Sequence, residues 1–328
     1  QLAKILVAIH GESEDGIIGR TRIDSGGVER RPSEVYWNGL RTFGLIKTKL
    51  SLTEFCRHLE TQNYDVEAIE TMHDEGGDDY DAIKNKQLIE LPDIQVNWMA
   101  EEQLNLNLTY KEAEFLKGKL IETSGLEHTI PTQILKHNLI EKALEANSNK
   151  TLIDIDILTE LVLSYDQVDS ESKHRMDMAN QFSLAMEGAH IRYNVVIAEK
   201  NEFSDSVEKY EAEYQQWLDT VKAKNIFRLS SENEWLDSAA MSFDKKRNFK
   251  NITKSFIKEW CEAIRQDLTL TLLDALVSKQ AIRNKGNRSL LKKKITKNEW
   301  VGMRRLDYRW GSARTILNDI QAGLNAST

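Results

Sequence analysis

The chain holds 328 residues, 40 % hydrophobic and 29 % charged, with a formal net charge of −8, which suffices for two domains or one large helical one. No apolar run approaches the ~18 residues that a bilayer span needs, and Ile5–Ile9 is too short for a signal-peptide core, so no membrane association is expected. The two cysteines, Cys56 and Cys261, stand far apart and form no Cys-x-x-Cys, which reads as reduced packing residues of a cytoplasmic protein.

The first residue is Gln rather than Met, and the N-terminal part is read as truncated at its start. Leu2, Ile5, Leu6 and Ile9 share one face, so residues 2–10 read as the end of a helix. Ser13–Gly19 and Ser25-Gly26-Gly27 read as breaks. Pro32 opens the next helix, because its ring suits a first turn, and Glu34 suits the positive end of the helix dipole. Gly44 closes that helix as the glycine beyond the cap. Ser51-Leu52-Thr53-Glu54 is a capping box that starts a helix with Leu52, Phe55, Cys56 and Leu59 inward. Two short helices about a glycine turn admit a helix-turn-helix. The connection from Gly44 to Ser51 is longer than the usual tight turn, and generic paired helices are the commoner reading.

Residues 70–82 are acidic and contain glycines, without the alternating Asp and closing Glu of a calcium loop; they read as a surface loop at a domain boundary. Pro92-Asp93 is followed by no Glu-x-Lys and reads as a turn. Thr109-Tyr110-Lys111-Glu112 is a second capping box, opening a helix with Ala113, Leu116 and Leu120 at helical spacing. Gly118-Lys119 lacks the upstream glycines of a phosphate loop. His128 and His137 flank Pro131 without metal-ligand company. No Pro follows Pro131, which suits a long run of helices, and Leu152–Leu163 reads as a buried helix in preference to the alternative, a short strand.

Residues 179–198 are apolar on two sides. On a helical wheel Phe182, Ala185, Met186, Ala189, Tyr193, Val196 and Ile197 make one face, and Leu184, Ile191, Val195 and Ala198 a second. A helix buried on both sides is the core helix of an all-α, multi-helix bundle. Between the faces runs a narrow polar stripe of Ser183, Glu187, His190 and Asn194. It reads either as polar groups satisfied by neighbours or as a functional groove. Glu187 and His190 also have the Glu-x-x-His spacing of di-iron bundles, repeated by Glu70 and His73. His73 runs into the acidic segment, and the further carboxylate helices such a site needs are not identifiable. No cofactor or metal is therefore expected, with Glu187 and His190 the remaining candidates.

Asp205-Ser206 cap an amphipathic helix carrying Val207, Tyr210, Tyr214, Trp217, Leu218 and Val221. Further helices follow over Glu234–Phe243, along Ile252, Phe256, Trp260 and Ile264, and along Leu268, Leu272, Leu273, Leu276 and Val277. Thr296-Lys297-Asn298-Glu299 is a third capping box. Asp307–Gln321 makes the terminal helix, with Gly323 as its C-cap. Residues 245–315 hold 19 Lys and Arg against 6 Asp and Glu, a net of +13, so the rest of the chain carries −21. A basic segment on an acidic body fits a nucleic-acid face or docking on an acidic partner, against the plainer reading of solvated helix faces. The candidate binding residues are Arg283, Lys285, Arg288, Lys292, Lys293, Lys294, Arg304, Arg305, Tyr308 and Arg309. Arg304, Arg305, Arg309 and Arg314, beside Tyr308 and Trp310, suit a nucleic-acid backbone and a stacked base, or a helical core capped by snorkelling arginines. No nucleophile stands with a base at motif spacing.

Five stretches together carry a resemblance: Gly16-Ile-Ile-Gly-Arg20, Pro32-Ser-Glu-Val-Tyr-Trp-Asn-Gly-Leu40, Leu106–Leu116, Phe182-Ser-Leu-Ala-Met-Glu-Gly-Ala-His-Ile-Arg-Tyr-Asn194, and Tyr308-Arg-Trp310 with Asp319-Ile-Gln-Ala-Gly-Leu324. In this order they resemble a bacterial domain-of-unknown-function family of antiphage-defence islands, found near helicases, methyltransferases and phospholipase-D-like nucleases. The resemblance implies a defence-associated accessory protein with a further N-terminal segment. It brings no catalytic residues.

The expected organisation is an N-terminal helical subdomain over 1–69, an acidic loop and linker over 70–104, and a main helical domain over 105–328. The leading functional expectation is a non-enzymatic accessory subunit of an antiviral defence system. It binds DNA, or a DNA-processing protein of the same operon, through the basic segment. The alternatives are a protein scaffold without DNA affinity and an unrecognised metal-dependent nuclease or other metalloenzyme around Glu187 and His190.

Overall fold

Thirteen α-helices form among the described residues of the computed structural model, which are 2–11, 17, 31–61, 89–92, 106–145, 155–240 and 249–326. No named strand occurs among them; one isolated antiparallel bridge joins Ile46 and Ile89. The all-α expectation therefore holds. The acidic stretch 70–82, Glu70 and His73, most of the 70–104 linker, Asp93 and all of Gly16–Arg20 except the buried Ile17 lie outside the described residues.

Contacts divide the chain into two units, one of residues 1–127, 134–141 and 314–328, the other of residues 128–133 and 142–313. Residues 105–127 and 314–328, assigned from the sequence to one domain with the central helix, thus group with the N-terminal unit. In that first unit lie α1 (Leu2–His10), α2 (Pro32–Thr42), α3 (Leu52–Thr61) and α4 (Tyr110–Glu122). The local signals explain their limits. Pro32 occupies the first turn of α2, and Gly44 follows its cap at φ +69°, where a side chain would be strained. Ser51 and Glu54 exchange the bonds of a capping box before α3, and Thr109 and Glu112 do the same before α4. Trp37 of α2 meets Phe55 of α3 with ring centroids 5.2 Å apart.

Two short helices, α5 (Ile130–Lys136) and α6 (Ile140–Glu145), lead to α7 (Ile155–Ser164) and then to α8 (Ser170–Lys200). Helix α8 is the central helix, 31 residues long and extended beyond the expected 179–198 at both ends. Asp169 caps it, accepting from the Ser172 amide. Against it lie α7, α9 (Ser204–Ala223), α10 (Ser231–Ala240) and α12 (Leu270–Lys285), while α11 (Asn251–Arg265) packs on α10 and α12 and reaches α8 through Trp260. Asp205 and Ser206 fall inside the first turn of α9 rather than before it; the cap position is Phe203, with no side-chain bond, and the Ser206 hydroxyl goes to Asn298 instead. Leu268 and Leu272 are exposed, and Leu273 and Val277 carry the buried side of α12.

The approach of α9 to α8 depends on an absent side chain. The Trp217 indole of α9 donates to the Leu184 carbonyl of α8 at 2.8 Å. It reaches that carbonyl across Gly188, where an added Cβ would stand 2.4 Å from the ring. The Trp260 indole of α11 makes the matching bond to Ala185 at 3.0 Å. Both aromatic residues bury a large apolar body while satisfying their polar end.

The terminal helix is α13 (Trp310–Asn325), three residues later in starting than expected. Gly323 is inside it rather than at its cap: an added Cβ there would meet Ala113 at 2.7 Å and Leu108 at 3.0 Å. A close approach between helices, not a left-handed cap, is what that glycine serves in the first unit.

Gly188→Ala should be net destabilising. The alanine gains up to ~1 kcal/mol in helix propensity, but overpacking of a core costs about 1–3 kcal/mol, and here a rigid indole blocks relaxation. A lower urea midpoint with loss of the native Trp fluorescence is the expected result.

Candidate nucleic-acid interface

The polar stripe of α8 is a seam that holds the backbone of a non-helical segment. After α12 the chain turns at Gly286 (φ +53°, ψ −127°), a conformation open to glycine because it has no Cβ. Two 3-10 turns follow, over Gly286–Arg288 and Leu290–Lys292. From there to Tyr308 the chain runs antiparallel to α8 as a strap.

Each rung of the seam is a side chain of α8, or of its C-cap residue Asn201, meeting a main-chain group of the strap. Lys200 donates to the carbonyls of Leu291 and Lys293, and the Ile295 amide donates to Asn201 at 2.9 Å. Asn194 serves Val301 twice, accepting from its N–H at 2.8 Å and donating to its carbonyl at 3.1 Å. His190 Nδ1 stands 3.0 Å from the Arg304 carbonyl, and the Ser183 hydroxyl donates to the Leu306 carbonyl at 3.0 Å. At the end of the strap the Tyr308 hydroxyl donates to the Ala179 carbonyl at 2.8 Å. Ser183, Glu187, His190, Asn194 and Asn201 fall within an arc of about 60° at the helical advance of 100° per residue. The stripe is thus occupied by neighbours, and the groove reading finds no open groove there.

The expected capping box at Thr296–Glu299 starts no helix. Its Asn298 takes the Ser206 hydroxyl, and the flanking Ile295 and Val301 amides are captured by α8. Side-chain acceptors on the core helix win those N–H groups from a local helical turn.

Arg304 and Arg305, expected as ligand-facing cations, are engaged within the protein. Arg304 pairs with Glu213 at 2.7 Å and lies 4.1 Å from the Trp300 ring centroid. Arg305 bonds Asp156 at 2.7 Å and Asn180 at 2.6 Å, with Glu187 at 3.8 Å. Burial pushes the Asp156 carboxyl up, but the bonds from Arg305 and Asn180 outweigh it and hold the group below its ordinary range. Glu187 receives no such bond; burial raises it, with Arg305 opposing. Burial lowers His190, which favours the neutral ring as the donor to Arg304. Glu187 and His190 therefore serve the strap, and no group of three or more His, Cys, Asp or Glu placed to hold a metal occurs among the described residues.

The remaining candidates separate into two places. Arg283, Lys285, Arg288, Lys292, Lys293 and Lys294 are all exposed, along with Lys297, which the sequence reading missed. Among the described residues none of these seven is in an ion pair; Lys292 donates to Asn287. The signal for Lys297 was in the sequence: residues 283–298 contain seven cations and no Asp or Glu. Tyr308 and Arg309 are exposed at the other end of the strap, both at positive φ, while Trp310 is buried. Lys200 and Asn201, which anchor the basic end, were also missed, although Asn201 continues the stripe seven residues beyond Asn194.

Asn194→Ala leaves the half-buried N–H and C=O of Val301 without their partner. At about 1–3 kcal/mol for each of the two unsatisfied groups, the expected loss is roughly 2–6 kcal/mol, with faster tryptic cleavage at Lys292–Lys294. Glu187→Gln tests the half-buried carboxyl. Because the folded state raises this pKa, ionisation costs stability as pH rises above the ordinary value of 4.5. The variant should equal or exceed the parent in stability at pH 7, and the difference should vanish below that value in pH-dependent denaturation.

No protein-family model, curated protein or solved structure matches the chain.

Proposed function

We propose that this chain is a non-enzymatic, helical accessory subunit of a bacterial antiviral defence assembly that binds DNA through the basic turn and strap of residues 283–298. The observation that carries the DNA reading is the composition of that surface: seven exposed cations, no acid and no exposed large apolar residue from 283 to 298. Polyanion binding needs charge that is free of internal partners. A protein interface needs a desolvated apolar or aromatic anchor, and the exposed apolar residues nearest in sequence, Ile282 and Met303, lie outside the run. The resemblance of the five sequence stretches supports the defence setting and a partner from the same operon.

Anchoring adds to this reading. The backbone beneath Lys292–Lys294 is held by Lys200 and Asn201, so the cations are presented from a fixed turn, which lowers the ordering cost of binding. Replacement of Lys292, Lys293 and Lys294 by Gln should weaken DNA binding and flatten its log–log salt dependence by about 3 units, near one for each phosphate no longer neutralised. Fluorescence anisotropy over a salt series measures both. Unchanged affinity and slope in the triple variant would remove the DNA reading and leave the scaffold reading, in which the same turn docks on an acidic protein.

A further inference from the structure

We infer that the DNA this surface takes is double-stranded and is held through its phosphates, without base stacking. The inference rests on the DNA-binding reading above and deepens it. Three placements carry it.

The exposed lysines Lys292–Lys294 and the exposed ring of Tyr308 are far apart. Lys200 holds the carbonyls of Leu291 and Lys293, whereas Tyr308 bonds the carbonyl of Ala179. Those two anchor points on α8 are 21 residues apart, roughly 30 Å at the helical rise of 1.5 Å per residue. A base stacked on Tyr308 is thus remote from the Lys292–Lys294 charges.

The arginines between the two ends are neutralised. Arg304 is paired with Glu213, and Arg305 with Asp156. Along the described strap, residues 299–307 supply no unpaired cation to lead a single strand from the lysines to Tyr308. The other aromatic groups are spent inward: Trp310 is 4 % exposed, and Trp300 carries the Arg304 guanidinium on its ring with the Tyr210 edge against it. Proteins that hold single strands combine a cationic groove with stacking platforms along it, and that combination is absent from residues 283–298.

Five of the seven cations are Lys, a compact point charge suited to phosphate oxygens rather than to bidentate reading of a base edge. The side-chain amides beside them, Asn284 and Asn287, already accept bonds from Gln280 and Lys292. Phosphate contact then supplies the affinity, and a duplex offers the denser charge, one per ~1.7 Å of axis.

The test is fluorescence anisotropy of the 328-residue chain with two 20-base-pair duplexes of unrelated sequence and with a 20-nucleotide oligo-dT strand, at one salt concentration. Expected are duplex affinities within twofold of each other and at least fivefold tighter than for the single strand. In a parallel arm, Tyr308→Ala should keep its single-strand and duplex affinities within twofold, since a stacked base is worth roughly 5- to 150-fold. Single-strand affinity equal to or above that of the duplexes overturns this inference and leaves DNA binding standing. So does a tenfold or greater loss in a folded Tyr308→Ala. The comparison among wild-type ligands needs no variant and decides the question if that substitution unfolds the chain. Absence of binding to all three ligands overturns the DNA reading and this inference together.

Discussion

The structure of the second unit depends on where the main-chain polar groups of residues 291–308 find partners. A non-helical segment beside a helix cannot complete its own hydrogen bonds, and buried groups left open cost about 1–3 kcal/mol each. Helix α8 answers with side chains spaced by one or two turns: Ser183, His190, Asn194, Lys200 and Asn201 all reach strap backbone. The geometry closes. Eighteen helical residues from Ser183 to Asn201 span about 27 Å. Eleven strap residues from Ile295 to Leu306 cover the same distance with slack, since a stretched chain reaches about 3.3 Å per residue. One stripe of small and amide side chains thereby fixes the path of the whole segment.

The other sides of α8 obey a different rule. There the aromatic residues of α9 and α11 pack directly on helix backbone, and Gly188 makes that approach possible for Trp217. Arg192 is buried at 1 % exposure and survives there through a two-bond pair with Asp274 and the Tyr214 ring 5.2 Å away. A buried charge of this kind needs its partner far more than it adds stability. Both devices leave those sides of α8 little tolerance for substitution.

The basic segment then acquires two characters from one sequence. Where the strap lies on the flank of α8, its arginines meet Asp156, Glu187 and Glu213 and become structural. Where it leaves α12 and turns past Lys200, no acid among the described residues pairs with it, and the lysines remain in solvent. The net charge of +13 over residues 245–315 is thus not one surface; among the described residues the densest exposed, acid-free part of it is the turn.

The sequence by itself determined the longer helices. Period-3.6 patterning, the boxes at Ser51 and Thr109 and the proline and glycine at the ends of α2 are local devices, and locality is why they could be read. It also showed the stripe of α8 and the acid-free run 283–298, because charge and spacing are properties of the chain alone. What only the tertiary structure decided was which polar residues have partners. Arg305 and Lys293 look alike in the sequence, yet Asp156, 149 residues away in the chain, takes the first, and no acid among the described residues takes the second. The box at Thr296 lost to Asn194 and Asn201 for the same reason, and Gly323 became a contact instead of a cap. Competition between local and distant partners is settled by distance in space, which no spacing along the chain records.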